Sequence, residues 1–315
     1  MKSIIANKTV LVTGGAGFIG STLTRRLLKM GYNINLIVKK DTNLWRLKDI
    51  VSKIRMHEIN LLENLKLSRA VNKIKPNTII HLATYSNYRN QQAIKQMINL
   101  NIEGTLNLLM ASKDINYAVF INTGSSSEYG FKNKPMNEED LLEPASFYAA
   151  TKASATLFCQ VFAKEYKKPI VTLRPFSVYG QHEEKDRFIP TIIKAVIENK
   201  PINLTPGNQR RDFIYIDDVV DAYIKTIRNG KSLAGQILNI GTGKQYSNDD
   251  VVKMLFKAVG KTVSVKKGAF PKRLWDTPYW AANISKTNKL LKWKPQFSLE
   301  EGLRKTYFLS KNEKI

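Results

Sequence analysis

The chain has 315 residues, of which 43% are apolar and 24% are charged. This length predicts one large domain with a smaller one, and the composition is typical of a soluble globular protein. No apolar run approaches the ~20 residues that cross a bilayer, so we expect no membrane partner. The single cysteine, Cys159, excludes an internal disulfide, and with only three histidines we expect no metal site.

The formal charge of +24 raises the possibility of a nucleic-acid partner. However, the lysines are spread along the chain in runs no longer than two, at Lys39-Lys40, Lys167-Lys168 and Lys266-Lys267. No nucleic-acid-binding motif accompanies them, so we expect no nucleic-acid partner. The same charge would attract an anionic small substrate. The first residues lack the features of a secretory signal, which favours a cytoplasmic protein.

Short apolar runs alternate with helical patterns in the first part of the chain: "KTVLVTGG", "NINLIV" (33–38), "TIIHLAT" (78–84) and "YAVFINTG" (117–124). Apolar runs without polar alternation are typical of buried parallel strands. The pattern predicts an α/β fold, a doubly wound parallel sheet of the Rossmann type. We expect an NAD(P)-binding domain over residues 1–175. Residues 176–315, where prolines interrupt shorter elements, are expected to form mainly a substrate-binding lobe with some segments returning to the first domain.

The segment "TGGAGFIG" places Gly14, Gly17 and Gly20 where the first predicted strand meets a helix. Gly14 permits a tight turn, Gly17 lets the backbone approach a pyrophosphate, and Gly20 lets the helix pack on the strand. The helix N-terminus offers unpaired N–H groups to an anion. This context predicts a dinucleotide site, to which we also assign Phe18 and Ile19.

The end of the second predicted strand bears on the choice of cofactor. An acidic residue there would bind the ribose of NAD, but the sequence has Lys39 and Lys40, with Arg46 further on. These cations suit a 2′-phosphate and favour NADP as cofactor, with NAD as the alternative because Asp41 lies close by.

Tyr148 and Lys152 are four residues apart, a spacing that Tyr307 and Lys311 repeat. Only the first pair has a relevant context, because the strand that ends at "FINTG" should deliver Ser125 to the same sheet edge. On a helix, Tyr148 and Lys152 share one face. A nearby ammonium lowers the pKa of a phenol toward a range useful for proton transfer.

Motifs in the same order over nearly the whole chain resemble those of extended short-chain dehydrogenases/reductases that modify nucleotide sugars as epimerases, dehydratases or reductases. They are the glycine turn, "HLA" (81–83), Asn101-x-x-Gly104-Thr105, Ser125, Tyr148-x-x-x-Lys152, "LRPFSVYG" (173–180), "RDFIYIDDV" (211–219) and "LLKWKP" (290–295).

The resemblance implies roles for individual residues. Tyr148 would be the acid/base, Lys152 would bind the nicotinamide ribose and tune Tyr148, and Ser125 would hold the reacting oxygen. Further cofactor contacts would come from Leu82, Ala83, Asn101 and Pro175. The nucleotide-sugar substrate would contact Ser126, Ser177, Arg187, Phe188, Leu204, Thr205, Arg211 and Arg273. A homodimer through the helix that carries Tyr148 is also implied.

Several reactions stay open. Dehydratases of this group typically carry an Asp-Glu or Ser-Glu pair directly after the catalytic hydroxyl, whereas this chain has Ser126-Ser127. Strand alternation would aim the following Glu128 elsewhere. Ser177 stands where many epimerases and dehydratases carry asparagine. A C4 ketoreductase of a nucleotide-linked 4-keto-6-deoxyhexose is favoured because of the NADP prediction, and some segments resemble CDP-abequose-forming reductases. A 4-epimerase is the alternative; a 4,6-dehydratase or an inactive cofactor-binding regulator is less favoured.

Overall fold

A computed structural model of the protein describes residues 8–86, 93–205, 209–269 and 277–312. The strands are β1 (Thr9–Thr13), β2 (Asn33–Val38), β3 (Arg55–Glu58), β4 (Thr78–His81), β5 (Val119–Thr123), β6 (Ile170–Pro175), β7 (Ser177–Tyr179), β8 (Ile202–Asn203), β9 (Arg210–Arg211), β10 (Phe213–Tyr215), β11 (Ile237–Ile240), β12 (Tyr246–Ser247) and β13 (Val265–Lys266). The α-helices are α1 (Phe18–Lys29), α2 (Asn64–Ile74), α3 (Ile94–Met97), α4 (Gly104–Ser112), α5 (Phe147–Glu165), α6 (Phe188–Ile197), α7 (Ile216–Asn229), α8 (Asn248–Val259), α9 (Ser285–Leu291) and α10 (Leu299–Asn312).

The chain forms two compact units. The first comprises residues 1–130, 141–174 and 220–238, and the second comprises residues 131–140, 175–219 and 239–315. Segments of the chain therefore cross from one unit to the other more than once. The crossing at residues 131–140 has no signal in the sequence pattern.

The first unit is built on a seven-stranded sheet in the order β11-β6-β5-β4-β1-β2-β3. The strands from β1 to β6 pair in parallel, and β1 lies between β2 and β4. The order therefore reverses at β1 and β4, which makes their carboxyl ends the switch point where such sheets bind ligands. The predicted doubly wound sheet is confirmed.

The core of this unit explains why these segments became strands. Leu11, Ile79 and Phe120, on β1, β4 and β5, are fully buried in one cluster with apolar residues of α2, α4 and α5. Strands buried on both faces need uninterrupted apolar side chains, as the sequence pattern indicated. This core fixes the strand ends that carry the candidate site.

The second unit consists of helices and short strand pairs: β7 with β10, β9 with β12, and β8 with β13. The buried Asp212 carboxylate connects its loops, because it accepts the backbone N–H groups of Thr242, Gly243 and Ala282. Asp218 plays a similar part and accepts the N–H groups of residues 296 and 297. Asp212 and Asp218 of "RDFIYIDDV" are therefore structural.

Within the described ranges, no helix is long and apolar enough to span a membrane.

Candidate active site

The glycine turn at the end of β1 is tightly packed. Gly14 has φ +70°, and a Cβ at this position would lie 2.5 Å from the Ala83 nitrogen and 2.6 Å from the Leu82 carbonyl carbon. A Cβ at Gly20 would lie 2.2 Å from the Gly14 oxygen, which itself accepts the Gly17 N–H at 3.0 Å. Only glycine fits at Gly14 and Gly20, so the turn and α1 approach the loop after β4 closely.

The start of α1 is suited to an anion. Gly17 is the N-cap and offers no side-chain acceptor, and the first turn contains no acidic residue. Phe18 and Ile19, the first helical residues, are half-buried. Unpaired N–H groups at a helix N-terminus, together with the helix dipole, favour a phosphate. The residues present therefore fit the pyrophosphate of a nicotinamide dinucleotide.

The residues after β2 carry exposed cations. Lys39 and Lys40 are both exposed, and the Lys39 carbonyl accepts the N–H and the hydroxyl of Thr42. Both lysines are therefore carried on an exposed turn. The Arg46 guanidinium lies 4.5 Å from the centre of the Trp45 ring.

Asn101 links two segments that flank the switch point. It is buried in a π-helical turn, Ile98–Glu103, between α3 and α4. Its Oδ1 accepts the Tyr85 N–H at 2.7 Å, and its Nδ2 donates to the Tyr85 carbonyl and to Thr151 Oγ1, both at 3.0 Å. The Thr151 hydroxyl donates to the Tyr148 carbonyl at 2.9 Å. Asn101 thereby fixes the loop after β4 against the first turn of α5.

A second chain of hydrogen bonds passes through His81, at the end of β4. The Thr105 hydroxyl donates to the Asn101 carbonyl, so Thr105 Oγ1 must accept the hydrogen bond from His81 Nε2. The other ring nitrogen, His81 Nδ1, then accepts from Thr13 Oγ1 at 2.7 Å. Burial lowers the pKa of His81 to about 3, and the positive charge of Lys152 acts in the same direction. The imidazole is therefore neutral and structural.

Ser125 is held by a local turn. It is the N-cap of a 3₁₀ helix, Ser126–Tyr129, and its Oγ accepts the Ser127 N–H at 3.1 Å. Glu128 Oε1 accepts the Ser125 N–H at 2.7 Å, while its Oε2 accepts the Arg174 Nε and Nη2 groups, each at 2.8 Å. The expectation that strand alternation directs Glu128 is wrong, because β5 ends at Thr123 and the following residues are helical. Ser126 is buried in this turn.

Tyr148 and Lys152 lie one turn apart at the start of α5. Ser146 caps this helix by accepting the Ala149 N–H. Tyr148 is half-buried, whereas Lys152 is only 4% exposed. Burial lowers the pKa of the Lys152 ammonium, and the nearby Glu128 carboxylate raises it. Helix α5 packs against both the Ser125 turn and the π-helical turn of Asn101, so the first unit brings these predicted residues into one region.

The candidate substrate residues of the second unit have different surroundings. Leu204 is buried, and its main chain pairs with residues 266 and 269. Thr205 accepts a hydrogen bond from the Gln209 side chain. Ser177, on β7, is half-buried and pairs with β10. Arg187 occupies the N-cap position of α6 without a side-chain capping bond, and Phe188 begins this helix with its ring centre 6.1 Å from that of Phe213.

The Arg211 guanidinium lies against an aromatic ring. It is half-buried on β9, and its guanidinium lies 4.9 Å from the centre of the Trp280 ring, which holds the planar group in place. Pro175 is buried at the end of β6 and belongs to the second unit. Arg273 lies outside the described residues.

Three groups of this region were not predicted: Thr151, the His81 chain, and the Glu128–Arg174 pair. A charge in an otherwise apolar, buried stretch is a signal of pairing, and Arg174 in "VTLRPF" is such a charge. Its partner Glu128 lies in the polar segment "SSSEYG" and has no such signal. The Thr151 contact has no signal of its own, because threonine is common at the start of helices.

The fold and this set of side chains define a nicotinamide-dinucleotide-dependent enzyme of the extended short-chain dehydrogenase/reductase type. The model of the NAD dependent epimerase/dehydratase family matches residues 10–241. The chain belongs to this family.

Relatives with this fold include several sugar-modifying enzymes. The chain is 34% identical to the UDP-glucuronate 4-epimerase of Thermodesulfobacterium geofontis, over 96% of this chain and 95% of that protein. It is 27% identical to the CDP-abequose synthase of Salmonella muenchen, over 95% and 97% respectively. The crystal structure of the UDP-glucuronic acid 4-epimerase of Bacillus cereus, in complex with UDP-glucuronic acid and NAD, matches with a TM-score of 0.86 and 32% identity, over 96% of this chain and 99% of that chain.

Proposed function

We propose that the protein is a nucleotide-sugar 4-epimerase, with a UDP-linked hexuronate or hexose as substrate and NAD as cofactor. The observation that carries this proposal is the full-length similarity to UDP-glucuronate 4-epimerases in sequence and structure. It favours the epimerase over the C4 ketoreductase that the sequence pattern favoured.

A nicotinamide dinucleotide held by the glycine turn and by Lys152 would supply a reversible hydride acceptor for C4 of the sugar. Tyr148, as phenolate, takes the O4 proton while the hydride leaves, and gives a proton back to O4 when the hydride returns. Lys152 stabilises the phenolate, and the Ser125 hydroxyl donates to O4. The sum is inversion at C4 without net oxidation.

The loop after β5 argues against dehydration. A 4,6-elimination needs an acid and a base that act at C5 and C6, but the carboxylate of this loop, Glu128, is fully buried and bonded to Arg174 and to the Ser125 N–H. A carboxylate held in this way is not free to protonate a leaving hydroxyl. Serines 126 and 127 occupy the two positions between Ser125 and Glu128.

Binding of the substrate is assigned to both units as a proposal. Arg211, stacked on Trp280, and Arg273 would bind the diphosphate, with Arg187, Phe188, Leu204 and Thr205 around the nucleotide. Ser126 and Ser177 would contact the sugar. Phe18, Ile19, Leu82, Ala83, Asn101 and Pro175 would line the cofactor.

The test is product analysis after incubation of the purified protein with NAD and UDP-glucuronate or UDP-glucose. Appearance of the C4 epimer supports the proposal, and Tyr148→Phe should lower kcat by about 10²- to 10⁴-fold. Tyr307→Phe is the matched control, because Tyr307 also precedes a lysine by four residues but lies on α10. Equal loss of activity in both variants would contradict the role of Tyr148.

A C4 ketoreductase is the second candidate. Lys39 and Lys40 favour it through NADP, and CDP-abequose synthase is among the relatives. Oxidation of NADPH by a nucleotide-linked 4-keto sugar, without interconversion of C4 epimers, would establish the reductase and exclude the epimerase.

We also propose a cytoplasmic homodimer through α5. Leu157, Phe158 and Val161 on this helix are 40 to 56% exposed, which is costly for large apolar side chains in water. Light scattering on the purified protein should give twice the chain mass of 35.8 kDa. A monomer at micromolar concentration would contradict this part of the proposal.

A further inference from the structure

Glu128 and Arg174 are two buried charges that the proposed reaction does not use. They are 0% and 1% exposed, and Arg174 donates from both Nε and Nη2 to the same carboxylate oxygen. The guanidinium also lies 4.6 Å from the centre of the Tyr129 ring. A buried ion pair contributes little net stability, so stability alone is a weak reason for its presence.

The other oxygen of this carboxylate binds the main chain of Ser125. Glu128 Oε1 accepts the Ser125 N–H, and the Ser125 Oγ accepts the Ser127 N–H, so main chain and side chain are both fixed. Since the Oγ already serves as an acceptor within the turn, its hydrogen can be donated outward. A Cβ at Gly124 would lie 2.5 Å from Oε1, so glycine there permits the close approach of the carboxylate.

The same carboxylate faces the helix of the acid/base pair. It acts electrostatically on Lys152, and the Thr156 hydroxyl, one turn further along α5, lies beside it. Lys152 is buried, and a buried ammonium is expensive unless a negative charge lies near it. Glu128 is therefore placed to influence Ser125 and Lys152 together.

We propose that Glu128, held by Arg174, is a positioning residue that aims the Ser125 hydroxyl and supplies the negative charge against which the Lys152 ammonium is buried. This role rests on the proposed function, in which Ser125, Tyr148 and Lys152 act on C4. Glu128 itself does not touch the substrate.

The charged and titratable groups around Glu128 fix the direction of the effect. Arg174 on β6 and Lys152 on α5 are positive; Cys159 on α5 is a neutral thiol, since burial raises its pKa to about 12; His81 on β4 is neutral. Removing the Glu128 charge leaves the two cations without their anion. The pKa of Lys152 must then fall, because the charge that favours its bound proton is gone. We expect the same direction for Tyr148, which lies one turn away on α5.

The experiment compares Glu128→Gln with the wild-type holoenzyme. Both limbs of the pH profile of kcat should move to lower pH by roughly half a unit to one unit, as expected for one nearby charge. Glu138→Gln is the matched control, because Glu138 is also buried and accepts a backbone N–H, that of Asn239, outside the residues assigned to the reaction. A lower kcat with unmoved limbs would mean a purely structural role and overturn the proposal.

Glu128→Asp separates charge from position. It should keep the wild-type limbs while lowering kcat, because the shorter arm cannot hold Ser125 and Arg174 together; shifted limbs would contradict the charge argument. If Glu128→Gln does not fold, the double variant Glu128→Gln/Arg174→Met removes the unpaired guanidinium as well. Its limbs should shift in the same direction but less, and wild-type limbs would overturn the proposal.

A titration without turnover distinguishes this inference from the proposed function. The phenolate absorbance of the NAD-bound protein minus that of Tyr148→Phe reports the pKa of Tyr148 even if no sugar is converted. A lower Tyr148 pKa in the Glu128→Gln background, with no epimerisation by wild type, would retain the role of Glu128 and refute the epimerase. An unchanged Tyr148 pKa in an active epimerase would refute the role of Glu128 and retain the epimerase.

Discussion

Replacement of Gly20 by alanine should displace the glycine turn and so weaken dinucleotide binding. The added methyl would lie 2.2 Å from the Gly14 oxygen and 2.8 Å from the Gly15 Cα, whereas ordinary contacts begin at 3.4 Å. Both neighbours are backbone, and the Gly14 oxygen also accepts the Gly17 N–H. The turn must therefore move by about 1 Å, and overpacking of this kind costs about 1–3 kcal/mol.

The groups displaced by this strain are the backbone N–H groups of the turn, which would bind the pyrophosphate. We expect the Kd for NAD, measured by isothermal titration calorimetry, to rise by about 10- to 100-fold, since 1.4 kcal/mol corresponds to a factor of ten. Gly31→Ala is the control: Gly31 follows the same helix with φ +83° but has no atom within 4 Å of the added Cβ. It should cost about 1 kcal/mol of stability without changing the Kd. A folded Gly20→Ala protein that binds NAD within twofold of wild type would refute the reasoning.

Three further predictions concern the surrounding groups. Asn101→Ala should lower the free energy of unfolding in urea by about 2–4 kcal/mol and kcat by about tenfold, because buried partners lose their bonds and the first turn of α5 is released; a variant with wild-type kcat would contradict the link to Tyr148. Burial lowers the pKa of His81 below its unfolded value, so the free energy of unfolding should fall as pH falls below about 6.5. Between pH 7 and pH 5 wild type should lose about 2 kcal/mol more than His81→Gln, and equal losses would show that His81 is not the cause. The double variant Lys39→Ser/Lys40→Ser should raise the Kd for NADP by about tenfold or more and leave the Kd for NAD within about twofold, because only NADP carries the 2′-phosphate. Equal effects on both cofactors would exclude these lysines as ligands of the 2′-phosphate.

The parts of the fold that the sequence predicts are those with local signals. The strands around Leu11, Ile79 and Phe120 are short apolar runs, and the glycine turn has a fixed spacing at a strand–helix junction. The doubly wound parallel sheet follows from the alternation of these strands with helices, whereas the order of the strands came from the structure. The spacing of Tyr148 and Lys152 gives a shared helical face from the pattern alone.

The features that the sequence did not predict depend on partners far apart in the chain. Glu128 and Arg174 are 46 residues apart, and their pairing needs both the end of β6 and the turn after β5. The direction of Glu128 was predicted from strand alternation, but the strand ends before it, where Ser125 caps a helical turn. Asp212 binds backbone groups 30 and 70 residues away, so no local pattern distinguishes it from a surface carboxylate.

The most direct test of the epimerase is the fate of a deuterium placed on C4 of UDP-glucuronate. With NAD present and no net reduction of the cofactor, we expect the product to be the C4 epimer with the deuterium still on C4. The reason is that the hydride leaves and returns within one site. Deuterium at another carbon, or loss of water from the sugar, would contradict it.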